Sequence, residues 1–103
     1  MKVLLDACVP RPLRRFLPDH TVRTAQEMGW GQLKNGALLL EAEAQFDALI
    51  STDQNLKYQQ SLVGRKLAIL VLPTNNWPTI QARAESIAAK VAQLKPGDLI
   101  EMN

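Results

Sequence analysis

Two aspartates close two short apolar runs. Asp6 follows Val3, Leu4 and Leu5, and Asp53 follows Ala48, Leu49 and Ile50 with Ser51 and Thr52 between. An apolar run of that length, ended by small polar residues, reads as a buried strand. In an open parallel α/β sheet, ligands bind just beyond the carboxyl ends of the strands. Two strands that each deliver a carboxylate to the same edge therefore outline a site. Carboxylates brought together repel, so a cation usually lies between them. The plainer reading of each Asp is a turn former at a strand end, a role this residue often fills.

The rest of the chain must position these two groups. Its 103 residues allow one domain, spanning residues 1–103, with 47% hydrophobic and 5% aromatic content, so the core is mostly Leu, Ile, Val and Ala. No apolar run approaches the roughly 18 residues of a membrane span, and a carboxylate stands at position 6. A cytoplasmic protein with no membrane partner is expected. The net charge of +2 permits nucleic acid without demanding it. A single cysteine, Cys8, excludes an internal disulfide framework and a multi-cysteine zinc site.

The first strand is expected at Lys2–Leu5, and Pro10 and Pro12 suit the first turn of a helix carrying Leu13, Phe16 and Leu17 on one face. Residues 20–24 (HTVRT) read as an outer strand, residues 25–28 as one helical turn, and Gly29-Trp30-Gly31 as its end. Asn35 is the expected N-cap of a helix with Leu38, Leu39, Ala42 and Phe46 on one side. The strand at 48–52 follows, then a short polar helix over 54–60, a turn at Gly64, and a strand at 67–72 (LAILVL) covered on both faces. Pro78 is expected to open one last helix, whose stripe Ile80, Ala84, Ile87, Val91 and Leu94 steps by 4, 3, 4 and 3. Residues 98–101 can add an edge strand. This strand–helix alternation predicts a doubly wound α/β sheet.

Three motifs in that order carry a resemblance. LLD-x-C-V-P at 4–10, GW-x-x-x-KNG at 29–36 and FD-x-L-I-S-T-D-Q-N-L at 46–56 resemble the bacterial DUF5615 PIN-like proteins over nearly the whole chain. The resemblance implies a PIN-like three-layer α/β/α sandwich with a mainly parallel central sheet of 4–5 strands. It also implies an acid cluster that binds magnesium or manganese and cuts RNA, and many small members look like the toxin of a toxin–antitoxin pair, several as homodimers. The matching metal ligands are Asp6 and Asp53. In such a site, divalent ions activate a water and stabilise the leaving oxygen of a phosphodiester.

The chain departs from that pattern where further acids are expected. Ala7 follows the first Asp, Asn35-Gly36-Ala37 opens the middle helix, and Asn55 stands two residues after Asp53. Asn35 and Asn55 can assist at the site through an oxygen or a water, or act only as helix caps. Magnesium manages with one or two carboxylates plus waters and phosphates, so the set suits one ion and weakened activity. Arg11, Arg14, Arg15 and Lys57 are the candidate nucleic-acid contacts, with a solvated surface as the plain alternative. Cys8 has no evident partnering base, His20 reads as structural, and Trp30 either stacks on a base or packs under a loop.

Three functions follow. The first is a divalent-metal-dependent ribonuclease, the toxin of a toxin–antitoxin pair, with RNA, an antitoxin protein and a second copy as partners. The second is a degenerate module that binds an antitoxin or RNA without cutting. The third is a receiver-like phosphoacceptor, which also places Asp after the first and third strands. A receiver needs a Lys after a late strand, and LAILVL is followed by Pro73, Thr74, Asn75 and Asn76.

Overall fold

The apolar runs at 3–5, 48–50 and 68–71 become adjacent strands because each is too hydrophobic to leave either face in water. A computed structural model describes residues 1–56 and 65–103, with the backbone alone at Asn35. Five strands form one sheet: β1 (Lys2–Leu5), β2 (Thr21–Thr24), β3 (Ala48–Ser51), β4 (Ala68–Val71) and β5 (Leu99–Glu101). Their order is β2-β1-β3-β4-β5, and every pairing is parallel. β1 sits in register with β3, Leu4 beside Leu49 and Leu5 beside Ile50, and Ser51 lies beside Val71 of β4. The strand expected at 20–24 is indeed an outer one.

Alternation along the strands divides the core into two layers. Val3, Leu5, Ala48, Ile50, Ala68 and Leu70 face one way and pack against Leu13, Leu17, Ile80, Ile87 and Val91. Leu4, Leu49, Ile69 and Val71 face the other way and pack against Leu38, Leu39 and Ala42 of α1 (Asn35–Gln45). The first layer is closed by a 3₁₀ helix at Arg11–Phe16 and by α2 (Trp77–Ala82) and α3 (Ala84–Gln93). This is the expected three-layer α/β/α sandwich. Each fully buried Leu or Ile contributes roughly 1.5–3 kcal/mol over its exposed state. Among the described residues no helix is long and apolar enough to cross a membrane.

Three local expectations are corrected. Lys34, in extended conformation (φ −123°, ψ 147°), takes the cap position of α1, and its carbonyl accepts Ala37 N–H; Asn35 is the first helical residue instead. The stripe from Ile80 to Leu94 belongs to two helices, not one. Arg83 (φ −110°, ψ 13°) interrupts it, with its N–H turned back to the Ile80 carbonyl. A straight helix over 77–93 would run about 25 Å, roughly twice the length of a four-residue strand. The break lets Ile80 and Ile87 reach the same sheet face. Trp77, not Pro78, opens α2, and the Asn76 side chain accepts Thr79 N–H at 3.1 Å as its cap. Residues 54 and 55 form a turn; the rest of the helix expected over 54–60, Lys57 and the turn at Gly64 lie outside the described residues, apart from Leu56.

Candidate functional site

After β1 the chain steps outward to β2, then crosses back through α1 to β3 on the other side of β1. The boundary between β1 and β3 is thus the point where the winding reverses. In doubly wound sheets the crevice outside the carboxyl ends of the strands at such a point takes the ligand. Asp6 and Asp53 stand at the carboxyl ends of those two strands.

The β1–β3 ladder continues into the site: Asp6 N–H donates to the Ile50 carbonyl at 2.9 Å. The two aspartates are then joined through Ser51. Its hydroxyl donates to Asp6 Oδ2 at 2.7 Å and accepts the Asp53 N–H at 3.0 Å. Asp6 Oδ1 accepts the Ala7 N–H at 2.7 Å, and Asp53 Oδ1 accepts the Asn55 N–H at 2.9 Å, so both acids also serve as turn formers. Cys8 Sγ lies 3.9 Å from the Ser51 hydroxyl. Ser51 itself is fully buried (0% exposed), whereas both aspartates are half-buried and open to ligand.

Ser51 is the residue that motif reasoning overlooked, since it read as one of three polar residues closing a strand. The signal was present. All four positions of β3 are buried, and a buried hydroxyl requires a hydrogen-bond partner. Two residues beyond Leu49, it faces the α1 side, where Asp6 is within reach. Thr52, between Ser51 and Asp53, supplies its carbonyl to Gln54 Nε2 at 3.3 Å.

The other candidates are spread out. Arg14 is committed to Glu27, which also accepts the Thr24 N–H at 2.8 Å; its Nε is buried without a partner. That backbone bond first, and the Arg14 guanidinium second, hold the Glu27 carboxyl below the usual glutamate range. Arg11 and Arg15 are exposed on the 3₁₀ helix. Asn55 is exposed and contributes its N–H to the Asp53 turn. Trp30 packs edge-on against Phe46, ring centres 6.0 Å apart, beneath α1. His20 lies at the opposite edge, with Nδ1 3.3 Å from the Met1 amine.

Depressions of about 490, 430 and 410 Å3 also gather at that amino edge around Phe46. Volume alone does not mark the chemistry here. The carboxyl edge has the winding reversal and the two aspartates, tied through Ser51 by the Asp6 carboxylate and the Asp53 N–H.

The donor set tests the implied metal. Asp6 and Asp53 offer oxygen ligands only, which suit magnesium or manganese. Each engaged carboxylate oxygen keeps a second lone pair. Among the described residues no group of three or more His, Cys, Asp and Glu converges to hold an ion. The residues therefore fit one ion whose shell is completed by waters and substrate, and not a pair of ions. Compared with known protein families, curated proteins and solved structures, the chain matches none.

Proposed function

We propose that the protein is a PIN-like, divalent-metal-dependent ribonuclease of the toxin type, working with one ion and at a modest rate. The observation that carries this reading is the Asp6–Ser51–Asp53 chain at the point where the sheet's winding reverses. Asp6 and Asp53 would hold magnesium or manganese, which when bound lowers the pKa of a coordinated water and offsets charge at the phosphodiester. Ser51 keeps Asp6 aimed at the edge and fixes the Asp53 turn against β3. Asn55 holds the Asp53 side chain through its N–H. Asn35 opens α1, where the resemblance places an acid, and brings no charge. RNA, an antitoxin protein and a second copy of the chain are the partners this reading implies.

The test is cleavage of single-stranded RNA with magnesium or manganese by wild type, Asp6→Asn and Asp53→Asn. Loss of cleavage in both variants supports the assignment. Cleavage unchanged in both places the chemistry elsewhere.

A second reading, a module that binds RNA or an antitoxin without cutting, is favoured by one observation: no third acid converges with the two aspartates among the described residues. Calorimetry separates the two readings, because a purely binding module takes up neither ion. The strand order is also that of flavodoxin-like sheets, to which receivers belong. No lysine follows β4, where Leu72, Pro73, Thr74, Asn75 and Asn76 stand, and this counts against a phosphoacceptor.

A further inference from the structure

Arg83 stands apart from the other described arginines. Arg14 pairs with Glu27 and Arg65 with Glu43, while Arg11, Arg15 and Arg23 are exposed. Arg83 is half-buried, and among the described residues its guanidinium makes neither a hydrogen bond nor an ion pair. None of its guanidinium nitrogens is buried without a partner, so the stem packs on the fold while the charged head reaches solvent and is free to receive an anion.

Arg83 is the single residue that divides the Ile80–Leu94 stripe, at the junction of α2 and α3. The break seats Arg83 at the carboxyl edge of the sheet. It lines a crevice with Leu72, Pro73, Thr74, Thr79 and Met102, at the ends of β4 and β5. That crevice, about 10 Å3, has room for no more than a water, so an anion must meet Arg83 at its mouth. Gln54 Nε2 donates to the Leu72 carbonyl at 2.6 Å, which ties the crevice wall to the turn carrying Asp53. The end of β4 is two strand spacings, about 10 Å, from the end of β1.

We propose that Arg83 is the phosphate ligand of this edge, its guanidinium gripping a non-bridging phosphate oxygen of single-stranded RNA that runs across the ends of β1, β3 and β4. The proposal rests on the nuclease reading for its choice of ligand. It adds the half of the site that the two carboxylates lack: a cation to receive the backbone they would otherwise repel. Arginine suits this role through its fixed fork of donors.

The experiment measures affinity for labelled single-stranded RNA in EDTA across a salt series, for wild type, Arg83→Ala and Arg83→Lys. Arg83→Ala is expected to bind about tenfold more weakly. Its log–log salt slope should fall by about 0.7, alike on RNAs of different sequence. Arg83→Lys recovers part of the affinity. Because the guanidinium holds nothing in the fold, Arg83→Lys, which keeps a stem, should melt as wild type does, and Arg83→Ala should lose only the packing of that stem. Unchanged affinity and slope in Arg83→Ala, or no RNA binding by wild type, overturns the proposal. Cleavage with manganese is read separately on the same proteins. Wild type that binds Arg83-dependently without cutting removes the nuclease reading and leaves Arg83. Wild type that cuts while Arg83→Ala keeps its KM does the reverse.

Discussion

Ser51 donates its hydroxyl to Asp6 Oδ2 at 2.7 Å across the boundary between β3 and β1, from a position with no solvent exposure. The Ser51 hydroxyl oxygen in turn accepts the Asp53 N–H. Ser51→Ala removes one bond from each aspartate, leaving Asp6 Oδ2 without this donor and the Asp53 N–H without its acceptor. A loss of roughly 1–3 kcal/mol is expected in chemical denaturation. The carboxylates remain, so any metal affinity should weaken less than in Asp6→Asn.

Among the described residues no third acid joins Asp6 and Asp53, so isothermal titration with manganese is expected to give one ion per chain. Asp6→Asn and Asp53→Asn should each abolish the heat of binding. A stoichiometry of two would require ligands beyond these two acids.

Leu39 and Leu40 are neighbours in α1 with opposite fates. Leu39 is fully buried beneath the helix, while Leu40 is 62% exposed. Leu39→Ala should cost about 2–5 kcal/mol in denaturant unfolding. Leu40→Ala should stay within about 0.5 kcal/mol. If Leu40→Ala instead changes sedimentation, this helix face contacts a second copy.

Glu27 titrates below the usual glutamate range because it caps Thr24 and pairs with Arg14. A lowered folded-state value means the unfolded chain binds the proton more readily. Its stabilising effect is therefore complete above about pH 5 and fades as the pH falls through the lowered value. Glu27→Gln should melt slightly below wild type at neutral pH, with the gap closing in acid. A gap that widens in acid would contradict this sign.

Gly97 and Gly29 both adopt positive φ, 83° and 76°. A Cβ at Gly97 would meet the Arg65 carbonyl oxygen at 3.3 Å, whereas Gly29 has open space. Gly29→Ala should cost about 1 kcal/mol from backbone strain alone. Gly97→Ala should cost more, as seen by melting temperature.

The layered sheet was legible because each central strand is a continuous apolar run, and the site edge because each run ends in Asp. Ser51 was not, since a serine between an apolar run and an Asp looks like any turn residue until β1 is known to lie beside β3. The division at Arg83 was hidden for another reason. The apolar stripe keeps helical spacing straight through the break, and only the shortness of the strands beneath requires two segments. Asn35 missed the cap by one residue, the usual uncertainty of a helix start. The commitment of Arg14 depended on Glu27, brought close only by the turn after β2.

The Asp6–Ser51 bond links residues 45 positions apart. β1 can pair with β2 early, over a short loop, but its other neighbour belongs to a later stretch of chain. Closing the longer loop carries the greater entropic cost, so this contact comes late in folding. During synthesis, a nascent chain that ends before β3 already contains Asp6 yet lacks the Ser51 hydroxyl that holds its Oδ2. Any chemistry that needs both acids begins only when the middle of the sheet is complete.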